Sequence, residues 1–209
     1  MTMIGLCGLP NCGKDTTANF LIQEYGYSRL SMAQPIREVV YKVFNLEASL
    51  MGDREYESVP LRELGGKTVK VTLQQMGKAC TDIYNPVWVD NTFKGLDLSK
   101  RWVVSDVRRP CEIEQIQAVG GVCIYIHSNR PIPNDGRDMS HESESYHDYL
   151  RTHADYHVLN DYESVGEYLE YLKGFMYNRV DHPEVPDLDD DEEYGSFIRY
   201  VLTAAHRKK

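Results

Sequence analysis

The sequence predicts a three-layer α/β domain, a parallel sheet with helices on both faces. Three observations carry that prediction. Short apolar runs alternate with stretches of helical periodicity along residues 3–175. Those runs are apolar throughout rather than alternating, as in strands buried on both sides. The first of them runs into a glycine-rich loop that opens a helix.

The elements follow in order. Met3–Cys7 reads as the first strand, and Ala18, Leu21, Ile22 and Tyr25 recur at helical spacing after it. "YSRLSM" is a second strand. "QPIREVVYKVF" is a helix with Pro35 in its first turn and Ile36, Val39, Val40, Val43 and Phe44 on one face. Residues 47–66 are polar and irregular, and a helix returns over Val71–Cys80 with Leu73, Met76 and Cys80 inward. "RWVVSDVRRP" is a strand with charge at its C-terminal end. "PCEIEQIQAVGG" is a helix closed by glycine, and "VCIYIHS" is the next strand. "HVLND" is a short final strand, and "ESVGEYLEYLKGF" is a helix whose Ser164 and Glu167 match a capping box.

The domain is expected to span residues 1–179, with an acidic linker at 180–193 and a C-terminal amphipathic helix at 194–209. The chain of 209 residues is long enough to bury a core without disulfides or metal. Its five cysteines include no C-x-x-C pair, which points to free thiols in a reducing compartment. The opening "MTMIGLCGLP" has no basic segment, and no run reaches the roughly 18 apolar residues of a membrane helix. A cytoplasmic protein is expected, with no membrane partner. Net charge is −9, but residues 181–193 hold eight carboxylates and residues 194–209 four bases. Such a balance excludes a broad basic face for duplex nucleic acid. In the final helix Ile198, Val201, Leu202 and Ala205 share a face, a candidate homodimer or partner contact beside the plainer reading of an unconstrained end.

"GLPNCGK", Gly8 to Lys14, has the spacing of a loop that cradles phosphate. Glycines at both ends let the backbone turn its amides inward, the following helix adds its positive end, and Lys14 supplies a mobile charge. Gly8, Asn11, Cys12, Gly13, Lys14 and Thr16 are therefore expected around the phosphates of ATP. Where such loops usually carry a hydroxyl for Mg2+, this one has Asp15. Magnesium seeks hard oxygen ligands, so a carboxylate serves the same role. Asp106 and Arg108 lie just past the end of a strand, where ligands sit in open α/β sheets. Arg108 is the expected phosphate contact, and Asp106 a second metal carboxylate or an acceptor contact.

"GKDTTA", "QPIREVV", "LQQMGKACTDIYNPVWV", "VVSDVRRPCEIEQIQAVGGVCIYIH", "HESE" and "YHVLNDYESVGEYLEYL" resemble, in that order, the bacteriophage deoxynucleoside monophosphate kinase family. The resemblance implies a P-loop nucleoside monophosphate kinase fold and ATP-dependent phosphorylation of deoxynucleoside monophosphates, with ATP and Mg2+, in the host cytoplasm if the protein is phage-encoded. It also implies an acceptor site at Arg37, Lys70, Gln74, Gly77 and Lys78. Lys70 stands where relatives more often have Arg, and Lys78 where they usually have Thr. Trp88 matches a family tryptophan and is either a wall of the base site or a core residue.

Residues 128–146 read as a lid in which Arg130 and Arg137 close on the donor phosphates, Arg130 being the one that relatives share within "R-P". Lys14, Arg108 and Arg130 are the expected catalytic cations. Histidines crowd between His127 and His157, but no cysteine pair joins them, and structural roles are favoured over zinc. The rival readings are a same-fold kinase with a hydroxyl acceptor (dephospho-CoA kinase-like), a non-catalytic nucleotide-binding module, and a nucleic-acid end kinase, which the acidic charge disfavours.

Overall fold

The computed structural model describes residues 2–129 and 146–181. Arg130, Arg137, nearly all of the acidic stretch and the residues expected to form a terminal helix lie outside the described residues. The chain forms two compact units, Met1–Arg29 with Leu98–Lys209, and Leu30–Asp97.

The first unit contains β1 (Met3–Cys7), α1 (Lys14–Tyr25) and β2 (Ser28–Leu30), the last crossing into the second unit. It continues with β5 (Trp102–Val104), α5 (Pro110–Ala118), β6 (Val122–His127), α6 (His147–His153), β7 (Tyr156–Leu159) and α7 (Val165–Phe175). Five strands form one sheet in the order β2-β5-β1-β6-β7. β1 runs parallel to both β5 and β6, and β6 runs parallel to β7. The order reverses at β1, so the crevice beyond its carboxyl end is the topological switch point where such sheets bind ligands. The three-layer α/β fold expected from the sequence is therefore the one adopted.

Each face of the sheet takes alternate residues. Ile4, Leu6, Val103, Ile124, Ile126 and Val158 join Ala18, Phe20 and Leu21 of α1 and Tyr168 and Leu172 of α7 in one buried cluster. On the opposite face α5 comes so close to β1 that a Cβ on Gly5 would sit 2.8 Å from both Cys123 Sγ and Ile116 Cδ1. The α7 capping box forms as expected: Ser164 Oγ accepts from the Glu167 amide at 3.2 Å and Glu167 Oε2 from the Ser164 amide at 3.3 Å. All five cysteines are free thiols. No described helix is long and apolar enough to cross a membrane.

The second unit contains α2 (Gln34–Val43), a two-strand ladder of β3 (Pro60–Leu61) and β4 (Lys67–Thr68), α3 (Val69–Ile83) and α4 (Val87–Phe93). Val40, Tyr41, Leu46, Leu64 and Val69 form its core, with Ile36, Phe44, Leu73 and Met76 packed against it. α2 is rotated relative to expectation. Val39 and Val43 are 38% and 64% exposed, and Tyr41 takes the inward place at 3%. The reason lies in the tyrosine hydroxyl, which reaches Leu50 O at 3.2 Å and Glu57 Oε1 at 3.4 Å and so draws that edge of the helix inward. Two helices escaped the sequence reading, α4 and α6, each of only 7 residues and too short for periodicity to show.

Replacing Gly5 with alanine should cost about 1–3 kcal/mol through overpacking against α5. Urea unfolding of the two proteins measures the difference, and an unchanged midpoint contradicts the packing described.

Candidate functional site

The loop between β1 and α1 is built from backbone that side chains resist. Gly8 has φ 137°, Asn11 64° and Gly13 106°. Such turns aim consecutive amides into one concavity, a nest suited to anionic oxygens. A Cβ on Gly8 would strike the Ile126 carbonyl, and one on Gly13 would strike Asn160 Nδ2. Gly13 occupies the N-cap of α1 with no side-chain cap, so the helix's opening amides are left for an outside acceptor.

Lys14 Nζ donates to the carbonyls of Gly8 and Leu9, both at 2.8 Å, and lies 3.5 Å from Cys12 Sγ. Its ammonium thus lies along the loop that carries it. Cys12 is buried, 2% exposed as a whole residue, and its carbonyl accepts from Asn160. The two threonines after Asp15 divide their roles. Thr16 is half-buried in the first turn of α1. Thr17 turns inward, with Oγ1 3.1 Å from Gly13 O and 2.7 Å from the Tyr168 hydroxyl, tying α1 to α7.

Asp15 has a partner within the chain. Its Oδ1 accepts from Arg29 Nη1 at 3.0 Å, and the same guanidinium reaches Ser105 Oγ and Asn19 Oδ1, both at 2.8 Å. Arg29, which the sequence reading passed over, is the central residue of β2 and joins that strand to α1 and to the residue after β5. Asp15 is 60% exposed at its side chain and offers the hard oxygen that magnesium prefers. A magnesium site of this class needs one or two carboxylates, the rest coming from phosphate and water. The absence of any cluster of three metal-binding side chains among the described residues is compatible with it. The residues present fit Mg2+, with Asp15 and Asp106 as its candidates and Arg29 as the competitor for Asp15.

Asp106 is half-buried and Arg108 exposed, on the turn that follows β5. That turn is pinned by Glu112, which is 7% exposed and accepts from the Arg108 amide at 2.5 Å and the Arg109 amide at 3.1 Å. Burial pushes the Glu112 carboxyl up to about 7, the backbone donation from Arg108 opposing and the nearby Asp106 charge reinforcing the rise.

Asn160 is a second residue that the sequence reading misses, although it lies within the quoted "HVLND". It is 2% exposed. Its backbone amide bonds the His127 carbonyl at 2.8 Å, and its Nδ2 donates to the Cys12 carbonyl at 3.0 Å. It therefore straps the phosphate loop to the end of β7, with its own Oδ1 buried and unpartnered among the described residues.

The other predicted residues lie in the second unit. Lys70 and Gln74 are exposed, four residues apart on α3, and Lys78 follows at the next such step with its ammonium on Asp82 at 2.8 and 3.1 Å. Gly77 faces Ile36 of α2, whose Cδ1 would lie 3.4 Å from a Cβ at that position. Trp88 is 9% exposed and donates from Nε1 to the Gly77 carbonyl at 3.1 Å, packing α4 onto α3. Arg37 is held by Glu57 through Nε at 3.0 Å and Nη2 at 3.4 Å.

The histidines sort by element. His153 ends α6 and stacks on Tyr149, ring centroids 3.7 Å apart. His157 pairs instead with His127, Nδ1 to Nε2, at 2.9 Å. Burial and the His127 and Arg151 charges lower His157 to about 4, so it is neutral near pH 7.

No known protein family profile matches the chain. A protein of Acanthamoeba polyphaga mimivirus, provisionally named a deoxynucleotide monophosphate kinase, is 29% identical over 164 residues, covering 69% of this chain and 81% of its own. Two solved structures align more distantly, each at 13% identity. Dephospho-CoA kinase from Campylobacter jejuni covers 84% of this chain and 96% of its own at TM-score 0.48. Shikimate kinase from Acinetobacter baumannii in complex with shikimate covers 86% and 95% at 0.47. The fold assignment rests on this chain's own strand order and loop.

Two outcomes are expected. Gly13→Ala should abolish nucleotide binding, measured by calorimetry, because its Cβ displaces Asn160 and the left-handed cap is strained. The second concerns pH. Glu112 holds its proton more tightly folded than unfolded, where a carboxyl titrates near 4.5, so the stability it contributes is complete below about 4.5 and lost as pH rises through about 7. That loss is on the order of 3 kcal/mol. Urea midpoints at pH 5 and pH 7.5 should show Glu112→Gln with a flatter dependence than wild type.

Proposed function

We propose that this protein is a kinase that transfers the γ-phosphoryl group of ATP to a deoxynucleoside monophosphate. The observation that carries the reading is the loop itself: a glycine-turned nest at the switch point of a parallel sheet, open helix amides behind it, and Lys14 laid along its carbonyls. The mimivirus relative supports the choice of acceptor.

The backbone from Gly8 to Gly13, with Lys14 and Thr16, binds the donor phosphates. Lys14 exchanges the Gly8 and Leu9 carbonyls for phosphate oxygens at little electrostatic cost. Asp15 and Asp106 hold Mg2+, which when bound neutralises phosphate charge. Arg37, Lys70, Gln74, Gly77 and Lys78 serve the acceptor, with Trp88 supporting Gly77 from behind. Arg108 contacts the transferring group, and Arg130, by resemblance, and Arg137, by its place in the same segment, are assigned to the donor phosphates. An oxygen of the acceptor phosphate attacks γ-phosphorus, the bond to the β–γ bridging oxygen breaks, and ADP leaves. The attacking oxygen is already anionic, so the chain supplies positioning and positive charge rather than a base. The two buried carboxylates among the described residues fit this economy: Glu57 and Glu112 are both occupied by internal donors. A hydroxyl-acceptor kinase would need a base, for which Asp106 is the candidate.

Lys14→Ala should retain its fold and lose roughly 100-fold or more in kcat. In an ADP-release assay, wild-type protein should turn over with one or more of dAMP, dCMP, dGMP and dTMP. Inactivity with all four, alongside turnover of a hydroxyl substrate such as dephospho-coenzyme A, refutes the acceptor.

A further inference from the structure

We propose that Glu57 is a positioning residue for the acceptor, its buried carboxylate fixing the Arg37 guanidinium in one orientation to receive a nucleoside monophosphate's phosphate. The inference rests on the function proposed above and adds to it a residue that no motif marks, in a stretch that reads as polar and irregular.

Glu57 is 3% exposed, and a carboxylate so placed is destabilising unless its oxygens are paired. Donors converge on it from two elements. Arg37 Nε reaches Oε1 at 3.0 Å and Nη2 reaches Oε2 at 3.4 Å, gripping both oxygens with one edge of the fork. The Gly52 amide donates to Oε1 at 3.0 Å. The Tyr41 hydroxyl lies 3.4 Å from the same oxygen, its proton shared with the Leu50 carbonyl. α2 thus supplies Arg37 and Tyr41, the 50–58 turn closes over them, and the carboxylate locks the two together.

The exposures are unequal, and that asymmetry points beyond a structural ion pair. The Glu57 side chain is 4% exposed, whereas that of Arg37 is 25% exposed. Its Nη1 group makes no hydrogen bond among the described residues. The guanidinium is therefore held along one edge and reachable on another, in the geometry that grips an oxyanion. Holding it beforehand spares the side-chain entropy that a free arginine would lose when ligand binds. Glu57 also partly offsets the arginine's charge, so what it confers is direction rather than field strength.

The test compares wild type with Glu57→Gln, Glu57→Asp, Arg37→Lys and the Glu57→Gln/Arg37→Lys double variant. It measures acceptor and ATP KM, binding of the same monophosphate by calorimetry without ATP, and thermal midpoints. The expected result is an acceptor KM and Kd raised roughly 10-fold or more in Glu57→Gln, with ATP KM within about twofold of wild type. Arg37→Lys should do the same. The double variant should be little worse than either single change, since both remove one unit. Glu57→Asp should recover part of the loss. A folded Glu57→Gln with unchanged acceptor KM overturns the inference, as do additive effects in the double variant. Should Glu57→Gln fail to fold, an unaltered acceptor KM in Arg37→Lys overturns it equally. Wild-type inactivity on all four deoxynucleoside monophosphates removes the function itself, whereas activity with an unmoved acceptor KM removes only the role of Glu57.

Discussion

The site depends on the absence of two side-chain carbons. At Gly8 the loop runs against the Ile126 carbonyl of β6, and at Gly13 it runs against the Asn160 amide beyond β7. Both glycines are left-handed, so the same turns that aim amides inward also bring the loop into contact with the sheet ends. Backbone curvature, the strap from Asn160 to the Cys12 carbonyl and the uncapped start of α1 are consequences of one close packing. A loop packed in this way has its curvature set by the sheet ends, and electrostatic stabilisation requires such preorganised donors.

Around that loop the chain handles charge by pairing rather than by leaving it bare. Lys14 rests on its own loop carbonyls, Asp15 on Arg29, and Glu112 on two backbone amides of the turn that presents Asp106 and Arg108. In the second unit Arg37 rests on Glu57 and Lys78 on Asp82. Lys14, Asp15, Arg37 and Lys78 thus each have a protein partner that sets the direction of the charge. The buried partners, Glu57 and Glu112, are held from several sides and tie turns of backbone to helices. The exposed pairs contribute little to stability.

What can be read directly from the chain are local patterns. The glycine spacing, the apolar run before it and the helical periodicity after it lead to β1, the loop and α1. Ser164 and Glu167 lead to the start of α7, because a capping box is a relation between residues three apart. The parallel sheet follows from the alternation of strands and helices. Local patterns failed where a helix was too short, as at α4, or where a single polar contact turned a face, as Tyr41 turned α2.

Tertiary structure alone decided the partnerships across distance. Asn160 meets Cys12 across 148 residues, and Tyr168 meets Thr17 across 151. His157 takes His127 rather than His153 because strand register, not helical spacing, brings their rings together. Glu57 looks like one more carboxylate in a polar stretch until the fold buries it beneath Arg37. Sequence by itself determined the fold class and the phosphate loop, since both arise from conformational preferences of neighbouring residues. Which charges are buried, and which partner each one holds, depends on solvent exclusion and on contacts between remote segments, and these exist only once the chain has folded.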